Sequence, residues 1–174
     1  SHLAPERILV VLPNWFGEAL FATPFLRALH EAHPQASLAV LGVARSHEVL
    51  DRHPAIQTFL LYDERGRHRG VRAKLRLIAA LRAARFDTAF ILRRSLSRTA
   101  MLVLARIPRR IGFANAKSGW LLTHRVPSPP ASLHKAATYV QLLHTEGHVP
   151  PLQPYEYHPS EDERAKARAL LQAR

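Results

Sequence analysis

Short apolar runs alternate along this chain with stretches in which apolar residues recur at helical spacing. The first run, 8–12, reads ILVVL without a polar residue, which is typical of a strand buried on both faces of a parallel sheet. Pro13 ends the run, and a helix is predicted to open at Gly17 after a tight loop. The positions expected on the packed face of that helix are Ala19, Ala22, Phe25, Leu26 and Leu29.

Pro24 lies within this helical stretch. Proline has no N–H to donate to the carbonyl of Leu20, so the helix cannot run through this point undisturbed. The sequence leaves two alternatives open: a kinked helix, or a single turn up to Ala22 followed by a second helix that Thr23 caps.

The same alternation continues through the chain and predicts a doubly wound, mainly parallel, Rossmann-like α/β sheet. Further strands are expected at 38–41, 57–62, 86–92, 110–113 and 121–126, and further helices at 45–52, 71–85, 95–106, 134–146 and 160–174. In helix 71–85 we expect Leu75, Ile78 and Leu81 to point inward and the arginines outward. Gly147 is expected to end helix 134–146.

The length of 174 residues suits one domain with a short appendage. We interpret residues 1–6 as a tag or processed end outside the fold, and 7–148 as the Rossmann-like domain. The proline-rich stretch 149–159 is predicted to be a linker, and 160–174 a helix that leads out of the domain.

The amino-acid composition limits the kinds of site and partner that this chain can have. The chain has no cysteine, which excludes disulfides, zinc-thiolate sites and thiol catalysis, and suits a cytoplasmic protein. Its 25 Lys+Arg against 13 Asp+Glu give a net charge of +12, which favours an anionic partner. Nucleic acid, an anionic membrane surface and a phosphorylated substrate remain open, as does the alternative that arginine merely solvates the surface.

The candidate chemistry lies where the strands end. Open α/β sheets bind ligands at the carboxyl edge of the strands, and Glu18 follows the first strand in the first turn of a helix, where the helix dipole favours its ionised form. Arg93, Arg94 and Ser95 follow the fourth strand at the same edge and predict an anion site. The basic loop 63–69 is either a solvated loop or an anion-contacting surface.

Other motifs are weak or missing. The loop after the first strand has one glycine, Gly17, so a dinucleotide fingerprint is not met, and no Walker loop occurs. His144 and His148 stand in HTEGH rather than HExxH, and Gly147 is expected to end the helix between them. We therefore expect neither a metal nor a bound cofactor.

Two separated segments resemble one known family. LPNWFGEALFATPFLRAL at 12–29 and FDTAFILRRSLSRTAMLVLARIPRRIGF at 86–113 are similar to the two signatures of glycosyltransferase family nine, the ADP-heptose:lipopolysaccharide heptosyltransferases, and most to the heptosyltransferase II branch. Tyr139 falls where members of that family often carry a tyrosine. The order and spacing of both segments match.

The resemblance implies a GT-B architecture, in which this chain is the amino-terminal, acceptor-binding half. A donor-binding half, absent from this sequence, would hold most of the ADP-sugar. The implied reaction is an inverting, metal-independent transfer of a heptose to a hydroxyl of the lipopolysaccharide inner core, for which this chain alone would be inactive. The implied location is cytoplasmic, with possible peripheral contact at the inner membrane, and no nucleic acid is expected.

The resemblance also assigns roles to residues. Glu18 takes the place of the catalytic base, where the family usually has an aspartate that is shorter by a methylene. Arg94 and Arg106 stand where the family often has asparagine and glycine, which leaves the sugar specificity undefined. The candidate substrate-binding residues are Asn14, Trp15, Gly17, Arg93, Arg94, Ser95 and Arg98.

Two other classes of function stay open. One is a non-catalytic carbohydrate- or nucleotide-binding Rossmann-like module. The other is a nucleic-acid-binding protein, which only the net charge favours, since the sequence has no helix-turn-helix, RNA-binding or zinc-finger signature and its aromatic residues are not interleaved with its basic runs.

Overall fold

A computed structural model describes residues 4–14, 16–147, 159 and 161–172. One sheet of six strands, all parallel, has the order β3-β2-β1-β4-β5-β6. Its strands are β1 (Arg7–Val11), β2 (Ser37–Gly42), β3 (Thr58–Leu61), β4 (Thr88–Ile91), β5 (Arg109–Phe113) and β6 (His124–Val126). The strand order reverses between β1 and β4, and such switch points are where open α/β sheets bind ligands. The predicted Rossmann-like fold is confirmed.

Helices cover both faces of this sheet. They are α1 (Phe16–Phe21), α2 (Thr23–Ala32), α3 (Ala44–Leu50), α4 (Val71–Ala83), α5 (Leu96–Leu104), α6 (Lys135–Val140) and α7 (Glu161–Gln172), with short 3-10 helices at Gly119–Leu121 and Gln141–Glu146. Alternate residues of β1 feed two separate cores: Val10 packs in one with Phe25 of α2, and Val11 in the other with Leu102 of α5. This explains why the first strand is apolar at every position.

Pro24 divides two helices rather than kinking one. The hydroxyl of Thr23 donates a hydrogen bond of 2.8 Å to the carbonyl of Leu20, the group left without an N–H partner by the proline. The two-helix alternative is therefore confirmed, although Thr23 is the first residue of α2 and Ala22 takes the capping position without a side-chain hydrogen bond. The five apolar residues predicted for the packed face are all buried.

The prediction for the buried face of α4 was wrong at Leu75. This helix packs through Leu77 and Leu81, which are 7% and 0% exposed, whereas Leu75 is 56% exposed. The helix carries apolar residues on more than one side, so periodicity alone could not tell which side packs against the sheet.

The predicted helix 134–146 is divided into two types of helix. It runs as α6 and then tightens into the 3-10 helix Gln141–Glu146, a common change near a helix end. Gly147 ends it in the left-handed conformation, with φ of 73°, as predicted.

The fold begins before the predicted boundary at Arg7. The backbone N–H groups of Glu6 and Arg7 each donate a hydrogen bond of 2.8 Å to the Asp87 carboxylate, and the Glu6 carbonyl accepts one of 2.7 Å from the Ser37 amide. Apart from residue 159, the predicted linker lies outside the described residues. Within the described part of the chain, no helix combines the length and the apolar character needed to cross a bilayer.

Candidate functional site

Arg93 lies at the centre of a crevice along the carboxyl edge of the sheet. It follows β4 and lines the cavities on both of its sides. We call the first, of about 370 Å³, the Glu18 cavity, and its lining residues are Pro13, Glu18, Leu92, Arg93, Arg94, Phe113, Lys135, Thr138 and Tyr139. We call the second, of about 440 Å³, the Arg98 cavity, and its lining residues are Asn14, Glu64, Arg93, Arg94, Ser95, Leu96, Ser97, Arg98, Ala100 and Lys117.

In the Glu18 cavity, the carboxylate of Glu18 forms an ion pair with the ammonium group of Lys135 through Oε1. The Glu18 side chain is 17% exposed and that of Lys135 is 54% exposed. Glu18 lies in the first turn of α1, and Lys135 is the first residue of α6. The carboxylate is therefore sheltered but open to the cavity, with one half-exposed cation beside it.

Contacts between α1 and α6 place the backbone of Lys135 next to Glu18. The His134 ring packs edge-on against Phe21 at the end of α1, with 5.0 Å between the ring centroids. Its Nδ1 also accepts a 3.3 Å hydrogen bond from the Ala136 amide, which caps the start of α6. The backbone around Lys135 is thus fixed against the helix that carries Glu18.

Tyr139 contributes a neutral hydroxyl to the same cavity. Burial raises the pKa of its phenol to about 12, and the positive charge of Arg93 opposes that rise. Below that pH the phenol keeps its proton, so it can donate a hydrogen bond to a ligand oxygen. Lys135 and Tyr139 stand four residues apart, which places both on one face of α6.

Arg98 is a buried cation on the other side of Arg93. It is 3% exposed, its Nη2 donates to Oδ1 of Asn14, and its guanidinium lies 5.3 Å from the centroid of the Tyr62 ring. Burial lowers the pKa of Arg98, while the negative charge of Glu64 opposes that effect. The guanidinium thus joins α5 to the loop between β1 and α1 and to the end of β3.

The start of α5 is held by serine hydroxyls. Ser95 Oγ accepts a 3.4 Å hydrogen bond from the Arg98 amide and caps the helix, and Ser97 Oγ donates one of 3.0 Å to Glu64. The charges in the Arg98 cavity come from four cations, Arg93, Arg94, Arg98 and Lys117, and from one carboxylate, Glu64. This excess of positive charge favours an anionic ligand.

The basic loop 63–69 is a defined turn. The Asp63 carboxylate accepts hydrogen bonds from the amides of Arg67, at 3.2 Å, and Gly66, at 2.9 Å, and these bonds hold the pKa of Asp63 below its usual value. Arg65, at the tip of the turn, lines a further cavity of about 240 Å³ with Asn14 and Arg93. One arginine of this loop therefore faces the crevice.

The structure brings most of the predicted site residues together. Asn14, Glu18, Arg93, Arg94, Ser95 and Arg98 all line the crevice. Gly17 is an exposed residue of α1, and Trp15 lies outside the described residues. The sequence interpretation missed Lys135, Thr138, Glu64 and Lys117; of these, Lys135 could have been found from its helical spacing to Tyr139.

Comparison with known proteins shows which proteins this chain resembles. No family model matches the chain. It is 28% identical over 142 residues to lipopolysaccharide heptosyltransferase 2 of Salmonella typhimurium, a match that covers 81% of this chain and 41% of that protein. The chain thus spans less than half the length of this relative.

Solved structures show the same fold. The glycosyl transferase family 9 protein of Veillonella parvula matches with a TM-score of 0.85 at 20% identity, covering 99% of this chain and 51% of that one. The ADP-heptose lps heptosyltransferase II of E. coli matches with a TM-score of 0.73 at 24% identity, covering 95% of this chain and 50% of that one. The resemblance to family nine heptosyltransferases indicated by the two sequence segments is confirmed.

Proposed function

We propose that this chain is the acceptor-binding half of an inverting, heptosyltransferase-like glycosyltransferase. The whole enzyme would move a sugar from an ADP-sugar to a hydroxyl of a lipopolysaccharide inner core. The observation that carries the proposal is the position of Glu18: it lines an open cavity at the switch point of the sheet, beside two arginines. A carboxylate and cations at this edge suit deprotonation of a bound, anionic saccharide.

In the proposed reaction, Glu18 accepts the proton of the acceptor hydroxyl while the oxygen attacks the anomeric carbon of the donor sugar. The bond between that carbon and the diphosphate breaks, and ADP leaves with the electron pair. Attack from the opposite face inverts the anomeric configuration. A positioned carboxylate of this kind accelerates a reaction mainly by placement and proton transfer.

Lys135 would act on the same carboxylate. Its ammonium group pairs with Oε1 of Glu18, so the acceptor hydroxyl would approach Oε2. The half-exposed lysine can stay at Oε1 during proton transfer or swing aside to contact the sugar. In either position it offsets negative charge in the cavity.

The remaining groups of the crevice would hold the acceptor. Arg93 and Arg94 contact carboxylates or phosphates of the saccharide, and the hydroxyls of Thr138 and Tyr139 contact its ring oxygens and hydroxyls. The proposed location of the enzyme is cytoplasmic, with peripheral contact at the inner membrane. The nucleic-acid alternative has no support beyond the net charge.

The test is Glu18→Gln in an enzyme that joins this chain to its donor-binding half. Turnover should fall by about two to four powers of ten, the usual share of a positioned general base, while the Michaelis constant for the acceptor changes little. Glu18→Asp, which restores the residue usual in the family, should keep far more activity. Near-normal turnover of Glu18→Gln would show that Glu18 is not the base.

A further inference from the structure

The solvent-facing side of α4 carries a row of apolar residues. Val71 is 73% exposed and Leu75 is 56% exposed, and the exposed Ala79 and Ala83 continue the same row at steps of four residues. We call these four residues the α4 outer face. The helix packs on the sheet through the opposite side, so this face has no partner among the described residues.

All charges of α4 are positive. The helix contains Arg72, Lys74, Arg76 and Arg82 and no acidic residue, and no ion pair within the described ranges involves them. In the preceding loop, Arg65, Arg67 and Arg69 are also exposed. The two acidic residues of that loop are engaged in its own turn and with Ser97.

The surface of α2 shows that this arrangement is not general in this arginine-rich chain. There Arg27 pairs with Glu31 at 3.1 Å, four residues away, and the exposed side has no large apolar residue. Mixed charges and small or polar residues are usual on a solvated helix. Exposed aliphatic residues on a helix whose charged residues are all cations fit a surface that is both apolar and anionic.

We propose that the α4 outer face binds the surface of an anionic lipid bilayer. Val71 and Leu75 would enter the boundary between headgroups and acyl chains, and the flanking arginines and Lys74 would contact anionic headgroups. Arg65 lines the crevice only six residues before Val71, so a docked α4 sets the crevice beside the bilayer. This inference rests on the peripheral membrane contact proposed above and names the surface that makes it. Vesicle binding is measured without sugar transfer, so its failure can be told apart from failure of the proposed transferase activity.

The test is flotation of the chain with vesicles of phosphatidylcholine, alone or in an equal mixture with phosphatidylglycerol. We expect binding to the mixed vesicles only, weakening as the Debye length shrinks from about 10 Å at 0.1 M salt to about 3 Å at 1 M. The double variant Val71→Ser/Leu75→Ser should bind about tenfold more weakly, because it removes the inserted groups. Arg72→Gln/Arg76→Gln should weaken binding by about tenfold or more.

Matched controls lie elsewhere on the surface. Trp120→Ser removes another exposed apolar side chain, 67% exposed, and Arg45→Gln/Arg52→Gln removes two exposed cations of α3 and the turn after it. Both should bind vesicles like the unchanged chain, with thermal unfolding confirming that every variant is folded. Absence of binding, or equal loss in the controls, would overturn the proposal. The proposal would also be overturned if the chain bound duplex DNA as strongly as it binds the mixed vesicles and the Val71→Ser/Leu75→Ser variant bound DNA equally well. That result would show that the cations serve nucleic-acid binding.

Discussion

The two sides of Arg93 differ in how they hold their charges. In the Glu18 cavity, a sheltered carboxylate has one ion-pair partner among the described residues, and that lysine is half-exposed at the start of a short helix. In the Arg98 cavity, a fully buried guanidinium contacts Asn14, after β1, and the ring of Tyr62, after β3. The ion pair of Glu18 and Lys135 can open, whereas the contacts of Arg98 involve several elements of the fold and are fixed.

This difference indicates that the two cavities at this edge of the sheet have different roles. Because Lys135 is half-exposed, its pair with Glu18 resembles a surface ion pair, which contributes about 0–1 kcal/mol to stability and can exchange partners, as the proposed general base must do when its substrate arrives. A buried charge is costly to leave without its partners, so its contacts persist. The Glu18 cavity therefore suits chemistry, and Arg98 suits positioning of the loop that leads from β1 to Glu18.

Arg98→Met should produce the largest stability effect of the crevice variants. It keeps the apolar stem but removes the donor to Asn14 Oδ1 and the cation over the Tyr62 ring, so the free energy of unfolding should fall by about 1–3 kcal/mol, the cost of leaving a sheltered acceptor without its donor. Denaturant titration measures this change. Arg94→Met, at an exposed position beside it, should change stability by less than about 0.5 kcal/mol; equal losses would remove the distinction between the two sides.

Arg93→Ala and Arg94→Ala should separate acceptor binding from chemistry. Each is expected to raise the Michaelis constant for the acceptor about tenfold, as the loss of a charged contact would, with a smaller fall in turnover and a flatter salt dependence. Steady-state kinetics of the joined enzyme with a soluble acceptor provides the measurement. Arg82→Ala, on α4, should be silent; an equal effect there would mean that the charge acts as a diffuse field.

Lys135→Met should have a smaller effect on turnover than Glu18→Gln and almost none on stability. The lysine is 54% exposed, so loss of its ion pair should change the free energy of unfolding by less than about 1 kcal/mol. Turnover should fall severalfold, because Glu18 remains but loses the cation that orients it. A loss as large as that of Glu18→Gln would assign the chemistry to the pair rather than to the carboxylate.

The sequence predicted the fold well because its strongest signals are local and repeated. The unbroken run 8–12 and the strand–helix alternation were sufficient for a parallel sheet, and Pro24 marked the break between α1 and α2. The side of α4 that packs on the sheet could not be predicted from the sequence. Leu75 and Leu77 lie on different sides of the helix, and only the position of the helix on the sheet determines that Leu77 is the buried one.

The site was predicted in part for a related reason. Residues that follow strands, such as Glu18 and Arg93, can be placed at the carboxyl edge from topology alone. Lys135 reaches that edge from a helix about 120 residues later in the chain, and the packing of that helix, which includes the contact of His134 with Phe21, brings it to Glu18. The burial of Arg98 likewise depends on Asn14 and Tyr62, which are distant in sequence.

Calorimetry of this chain with two ligands tests the central claim most directly. If the chain is the acceptor-binding half, a soluble inner-core oligosaccharide of lipopolysaccharide should bind to it, and Arg93→Ala should weaken that binding. ADP should give no measurable heat, because the donor would be held mainly by the other half of the enzyme. Tight binding of ADP, with no response to the oligosaccharide, would contradict the account.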